Sequence, residues 1–334
     1  MSQKKSMEME RKNDTKEIFV QPAVTLIIPT HSAPVDAVVA AVKKQAYKGE
    51  VTIIVMDDGH YNRIAEMPKG ITYIHNEKNL GLARNMNKGI SLARTPYVIT
   101  LHQDCIPNGE HWLSLLMRPL LENSAVVLSS SQQIIPKAVW EQFSFWHKVF
   151  AVPELSLQKT INEHATAYRL DVLSSCGLFD ALTYKTAGED TDLFMKMRKH
   201  GLLAVSDALV AHVHAPHNDS LWRFITKVFV RDNEAMGVLH RKYTFQMGFQ
   251  FWYDLLRTFL FLFFIIFLFY NPWISLAIFC AIVFLANVTH LSVIKHVLDL
   301  RLVFLPFVYT FVWFVTLLAL WKGFITEKQS WFNN

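Results

Sequence analysis

The sequence predicts an α/β domain, a mostly parallel sheet with helices on both faces, followed by an α-helical membrane segment. Three observations predict it. Short β-branched runs alternate with helically spaced stretches between residues 24 and 101, the order that builds a parallel sheet covered by helices. Three of those runs end on polar residues: Pro29-Thr30-His31, Asp57-Asp58-Gly59 and His102-Gln103-Asp104. The C-terminal part carries two long uncharged runs, residues 258–294 and 302–321.

The elements can be justified in chain order. VTLIIPTH, residues 24–31, reads as a first strand closed by Pro29, and residues 33–45 come next with helical spacing. VTIIVMDDGH, residues 51–60, is a second strand ending on two acids and a glycine, and residues 70–75 are a third. NEKNLGLARNMNKGISLAR, residues 76–94, is a loop and then a helix. YVITLHQDCIP, residues 97–107, begins as a buried strand and turns abruptly polar before Pro107 stops it. In open α/β sheets ligands bind beyond the carboxyl ends of the strands. One polar strand end is most simply a strand leaving the core; three together mark a site. A dinucleotide-binding domain would need G-x-G-x-x-G after the first strand. That turn is PTHSAP, without glycine, which argues against an NAD-dependent enzyme.

The chain has 334 residues, 51% of them hydrophobic and 13% aromatic. As one helix, residues 258–294 would run about 55 Å, nearly twice the roughly 30 Å of bilayer hydrocarbon. Asn271-Pro272 offers a turn where a helix cannot easily continue. Three spans are therefore expected, at residues 252–270, 273–294 and 302–321. Asp254 and Arg257 fall near the start of the first, where a long side chain can snorkel to the interface. Trp252, Tyr253, Trp273 and Trp321 lie near span ends, as interfacial aromatics do.

No apolar leader core precedes residue 24, and residues 1–17 read as a polar, disordered tail. Lys295, His296 and Arg301 fit a cytoplasmic loop between the second and third spans. The expected division is a tail at 1–22, a catalytic domain at 23–240, a membrane region at 241–325 and a tail at 326–334. The protein is expected to be multi-pass in the cell membrane, with its sheet domain cytoplasmic. The three cysteines form no zinc spacing and no paired framework. The net charge of +5 suggests weak attraction to anionic membrane lipid or phosphate-bearing substrates. No dense basic patch points to nucleic acid. A transporter draws little support from spans whose polar interior residues are Asn287 and His290.

Five stretches, in order over residues 23–220, resemble the family 2 glycosyltransferases of GT-A fold. They are TLIIPTH, VMDDGH, NLGLARNMNKGISLA, LHQDCIP and AYRLDVLSSCGLFDALTYKTAGEDTDLFMKMRKHGL. The resemblance implies a membrane-anchored, inverting transferase. It would move a sugar from a nucleotide-diphosphate sugar, UDP- or TDP-linked favoured, to a hydroxyl of a lipid-linked glycan or glycolipid. The setting it implies is the cytoplasmic membrane face, in cell-envelope polysaccharide or glycoconjugate synthesis.

The resemblance also implies residue roles. Asp57 and Asp58 take the place of the acid that binds the base, with Pro29 and Thr30 near base and ribose. Asn79, Gly81, Arg84 and Asn85 match the helix bordering the donor pocket, where Arg84 either faces a phosphate or ties the helix to the sheet. His102 and Gln103 would meet the donor, and Asp104 a divalent metal, Mn²⁺ or Mg²⁺. The family's metal motif is D-x-D; here it reads His102-Gln103-Asp104. One acid with substrate phosphates and water can still hold a hard ion; the missing charge implies either weaker metal affinity or, through the imidazole, a preference for Mn²⁺ over Mg²⁺.

Glu189, Asp190 and Asp192 begin a helix, where acids are favoured by capping and the helix dipole in any case. The resemblance makes Asp190 the general base and leaves Glu189 to shape the acceptor pocket. Of His212, His214 and His217, His214 is the expected late metal ligand, with His212 the substitute; loop histidines fit equally well. RDNEAMG stands where processive synthases carry Q-x-x-R-W, which points away from chain extension. Two rivals remain open: transfer onto a polyprenyl phosphate, and an inactive membrane scaffold suggested by His102.

Overall fold

The computed structural model describes residues 21–31, 33–59, 69–185, 187–213, 220–288 and 291–329. Residues 1–20 and 330–334, with most of both expected tails, and His214, His217 and His290 lie outside them. The first half runs β1 (Val24–Thr30), α1 (Asp36–Lys43), β2 (Val51–Asp57), β3 (Thr72–His75), α2 (Leu82–Leu92) and β4 (Tyr97–Leu101). β1 pairs in parallel with β2 and with β4, and β2 with β3. Every residue of β1 is buried. A strand covered on both faces must be apolar throughout rather than alternating.

The second half contains β5 (Cys105–Pro107), α3 (Trp112–Glu122), β6 (Val126–Ile134), α4 (Phe145–Ala151), β7 (Ala165–Arg169), α5 (Leu170–Ser175), α6 (Glu189–Met197) and β8 (Leu202–His212). The sheet order is β3-β2-β1-β4-β7-β6-β8-β5. β7 is antiparallel to both β4 and β6, and β5 is antiparallel to β8. The sheet is thus parallel over its first four strands and mixed beyond, a refinement of the mostly parallel expectation. The cause is the excursion between β6 and β7. It leaves and returns at one edge, and a strand that returns without a crossover must run backwards. Apolar residues of α1 and α3, among them Val38, Val39, Trp112 and Leu116, pack on one face of the sheet. Met86 and Ile90 of α2 with Leu193 and Met197 of α6 pack on the other.

The C-terminal part has four long helices: α7 (Arg231–Tyr243), α8 (Phe249–Tyr270), α9 (Pro272–Val288) and α10 (Leu305–Thr326). Asn271 Oδ1 accepts from the amides of Trp273 and Ile274, so the Asn-Pro pair ends α8 and starts α9. α8 and the stretch Leu300–Thr326 are long and apolar enough to cross a membrane, whereas α9 has only 17 residues.

The expected span at 302–321 falls in α10, and both ends of that helix rest on the rest of the protein. Leu305 and Tyr309 share a buried cluster with Phe145 and Val149 of α4. Near the other end, α7 and α10 meet backbone to backbone. A Cβ on Gly237 would lie 1.9 Å from Leu320 O, and one on Gly323 would lie 1.9 Å from Glu234 O.

Arg257 does not snorkel. It is 5% exposed, and its guanidinium donates to Asp254 Oδ1 (2.9 Å), Trp313 O (2.7 Å) and Thr316 Oγ1 (2.6 Å). Asp254 Oδ2 also accepts from Gln250 Nε2 and lies 2.8 Å from His240 Nε2. A charge among apolar helices is held by partners, because leaving it unpaired costs several kcal/mol. Here the pair ties α7, α8 and α10 together.

Candidate active site

The carboxyl ends of β1, β2 and β4 open into one cavity of about 360 Å³. Pro29, Thr30, Asp58 and Asn79 line it, and so do His102, Gln103 and Asp104 of the motif. Lys185 closes it from another segment. Asp57, Arg84, Glu189 and Asp190 are not among the lining residues. Asp57 is fully buried; it accepts from Tyr73 Oη (2.6 Å) and the Gly59 amide (3.0 Å) and lies 3.2 Å from His75 Nδ1. Its carboxylate fastens β2 to β3. Arg84 points to solvent from α2.

Asp58 shapes the turn into α2. Its Oδ1 accepts from the Leu80 amide (2.8 Å) and Asn76 Nδ2 (2.9 Å), and its Oδ2 from the Gly81 amide (2.8 Å). Gly81 has φ +83°, a conformation glycine adopts without strain.

The antiparallel return of β7 decides what surrounds His102. Leu101 pairs with Ala165, so the residues just before β7 meet those just after β4. His102 Nε2 lies 2.6 Å from Glu163 Oε2, and Glu163 is 6% exposed. Burial disfavours the charged imidazole, but the Glu163 carboxylate, helped by Asp104 and Glu189, outweighs it and holds His102 above its usual range. The His164 ring bridges His102 and His212, at centroid distances of 5.1 and 4.7 Å.

His212 Nε2 stands 3.4 Å from Asp104 Oδ2. Two ligands on adjacent corners of an octahedral site, each about 2.1 Å from the ion, are roughly 3 Å apart. The Asp104–His212 pair fits that arrangement. Cys105 brings a third donor atom within 4.8 Å, but burial pushes its thiol well above the usual range, which keeps it a protonated core side chain. His214, the expected ligand, lies outside the described residues, and His212 is the histidine set beside Asp104.

The acids of α6 divide into two roles. Asp192 is fully buried and accepts from Tyr243 Oη (2.8 Å) and Lys242 Nζ (2.5 Å), tying α6 to α7. Glu189 and Asp190 belong instead to the carboxylate group around Glu163. Burial, then Asp190 and Glu163, push Glu189 up to about 7. Asp190 is raised by burial and by Glu163, against the Thr191 amide that donates to it at 2.6 Å. Gly188, with φ +89°, starts the helix; a Cβ there would come within 2.9 Å of Ala235 and of the Tyr184 ring. Among the described residues Gln103 Oε1, Glu163 Oε1 and Glu189 Oε2 are buried without a hydrogen-bond partner. Buried orphan oxygens are rare, and a cluster of them suits a site that receives polar groups from a ligand.

Glu163, His164 and Lys185 are site residues that the sequence alone does not single out. N-E-H before a short strand and a lysine four residues ahead of Glu189 carry no periodicity or spacing of their own. Glu163 and His164 gain meaning only once β7 is known to lie against β4, and Lys185 once its loop is known to reach the cavity wall.

Residues 25–171 match the family model described as glycosyl transferase family 2. No curated protein matches the chain. Among solved structures the chain is similar to the mannosyltransferase PcManGT from Pyrobaculum calidifontis in complex with GDP-Man and Mn²⁺. The TM-score is 0.53 at 14% identity, over 91% of this chain and 87% of that one. It is also similar to GalNAc-T7 with UDP, GalNAc and Mn²⁺, with TM-score 0.46 and 16% identity over 66% of this chain and 50% of that one. The likeness to PcManGT extends over the sheet and the C-terminal helices alike, at the level of fold. Residues 25–171 thus carry a domain that matches glycosyl transferase family 2, in a chain of GT-A-like fold with two long apolar helices in its C-terminal part.

Proposed function

We propose that the protein is a membrane-anchored, inverting glycosyltransferase that moves a sugar from a nucleotide-diphosphate sugar to a hydroxyl of a lipid-linked glycan or glycolipid. One observation carries this reading: a single cavity at the strand ends gathers Asp58, Asp104 and Lys185, and Glu163 beside it couples His102 to Glu189 and Asp190. Thr30 and Asp58 take the base and ribose. The carboxylate of Asp58 accepts N–H donors, which favours uracil or thymine. PcManGT was solved with GDP-Man, so guanosine donors belong in any test. Asp104 and His212 would hold Mn²⁺ or Mg²⁺, which when bound offsets charge on the diphosphate. Lys185 adds a cation from the protein.

A sugar hydroxyl is a poor nucleophile. Asp190 takes its proton as the acceptor oxygen bonds to the anomeric carbon. The bond from that carbon to the diphosphate breaks, and its electron pair leaves with the nucleoside diphosphate. One displacement inverts the anomeric centre. Glu163, paired to His102, restores beside the pocket the carboxylate that the motif lacks, which speaks against an inactive scaffold.

Purified protein screened with Mn²⁺ or Mg²⁺ against UDP-, TDP- and GDP-sugars is expected to release nucleoside diphosphate from one of them. Release from none overturns the proposal. With a donor in hand, Asp190→Asn separates the acceptors. Loss of transfer to hydroxyl acceptors supports the proposal, and undiminished transfer to a polyprenyl phosphate, already ionised, would favour that rival.

A further inference from the structure

Gln329 lies beyond the last apolar helix, far in sequence from the cavity, yet it is 2% exposed and fully engaged. Its amide donates to Thr183 O (3.1 Å), and its side-chain oxygen accepts from the Lys185 amide (2.8 Å). Its side-chain nitrogen donates to Arg231 O (3.1 Å), at the first turn of α7. Thr183 and Lys185 belong to the loop stretch that brings Lys185 to the cavity wall. The residue between them, Tyr184, is 1% exposed and packed among Ala235, Val238 and Leu239 of α7. This stretch is therefore clamped from two sides, by α7 through Tyr184 and by the end of α10 through Gln329.

These bonds of Gln329 are made to backbone. What they set is the height and direction of the Lys185 Cα at the cavity wall. A lysine that must meet a diphosphate loses much of that contact when its base shifts by an ångström. We infer that Gln329 is a positioning residue for the donor: it holds the Lys185 backbone so that the ammonium meets the diphosphate of the nucleotide sugar. The inference rests on the reading of the cavity as the donor pocket. It makes the C-terminal segment after α10 part of the working site, although it touches no substrate.

The test is calorimetry on the full-length protein in detergent with Mn²⁺ and UDP, TDP or GDP, whichever the wild type binds. Gln329→Met removes both side-chain bonds and is expected to weaken nucleoside-diphosphate binding by roughly fivefold, the usual worth of about one hydrogen bond. The parent nucleoside, measured by competition, is expected to bind as it does to the wild type. Lys185→Met is expected to cost more than about tenfold, as loss of a charge-assisted contact does. The double variant is expected to match Lys185→Met alone, because Gln329 acts through the lysine. Additive losses in the double variant, equal weakening toward nucleoside and diphosphate, or a lowered melting temperature with unchanged affinity would each overturn the inference. A wild type that binds none of UDP, TDP and GDP would instead overturn the donor-pocket reading on which the inference stands.

Discussion

Two buried ionic clusters in this protein differ in how their charges are balanced. Among the C-terminal helices, Asp254 is met by Arg257, Gln250 and His240, and the Arg257 guanidinium is divided between Asp254, Trp313 O and Thr316. Anion and cation are matched. At the strand ends, Glu163, Glu189 and Asp104 crowd around His102 with Asp190 beside Glu163 and Glu189, and oxygens of Glu163 and Glu189 have no hydrogen-bond partner among the described residues. Anions are in excess. The charge-matched cluster, where the atoms left over are the nitrogens Arg257 Nε and His240 Nδ1, holds helices together; the one with surplus carboxylate oxygens stores the capacity to take a proton or a cation. The contrast separates architecture from chemistry without reference to any motif.

The sharpest way to break the comparison is to cut one residue from each cluster. Asp190→Asn is expected to lower kcat by about 10²- to 10⁴-fold, the range for loss of a general base, with donor affinity and melting temperature little changed. Arg257→Met strands the Asp254 carboxylate and is expected to destabilise the protein by about 3–5 kcal/mol, read as a lowered melting temperature. The donor affinity of the molecules that remain folded should be preserved. Swapped outcomes would mean that the two clusters have been given the wrong roles.

A smaller effect is expected from Glu163→Gln. It removes the charge that holds His102 and should reduce kcat by roughly tenfold, the lower end of the range for losing the partner that orients a site histidine. The melting temperature should not fall, because the site has carboxylates to spare. A fall comparable to that of Arg257→Met would place Glu163 among the structural ties.

The smallest effect concerns Glu189 and pH. Its folded-state value of about 7 lies above the ordinary 4.5, so the native state keeps a proton that the unfolded chain releases. Its contribution is therefore fully present at low pH and is lost as pH rises from about 4.5 to 7. Glu189→Gln cannot ionise and is expected to melt a few degrees higher than wild type at pH 8, with little difference at pH 4.5. Equal melting shifts at both pH values would show that Glu189 is not buried as a proton-holding acid.

Much of the fold and part of the site are legible in local pattern. The polar ends of β1, β2 and β4 point to one edge because parallel strands in one sheet end together, and Thr30 does pair with Asp57 across β1 and β2. The Asn271-Pro272 break falls where expected, since a proline has no amide to continue the ladder and asparagine caps the next helix. Arg257 departs from expectation for an equally physical reason. A charge near the start of an apolar run can reach outward to water or inward to a partner, and the sequence does not show Trp313 and Thr316 waiting on another helix. Asp57 reads as a pocket residue in sequence and is a tie between strands in the fold. Two adjacent acids at a strand end point to opposite faces, and alternation alone does not say which face is open.

By itself the sequence determined what depends on near neighbours along the chain: which stretches are strands, where the apolar helices break, and that an α/β sheet ends in a row of polar groups. Only the tertiary structure decided which distant residues share the cavity, because Glu163 reaches His102 through the backward pairing of β7 on β4, and Gln329 reaches Lys185 across the packing of α10 on α7. Such contacts are set by strand direction and helix packing over the whole fold, quantities that leave no period and no spacing in the chain.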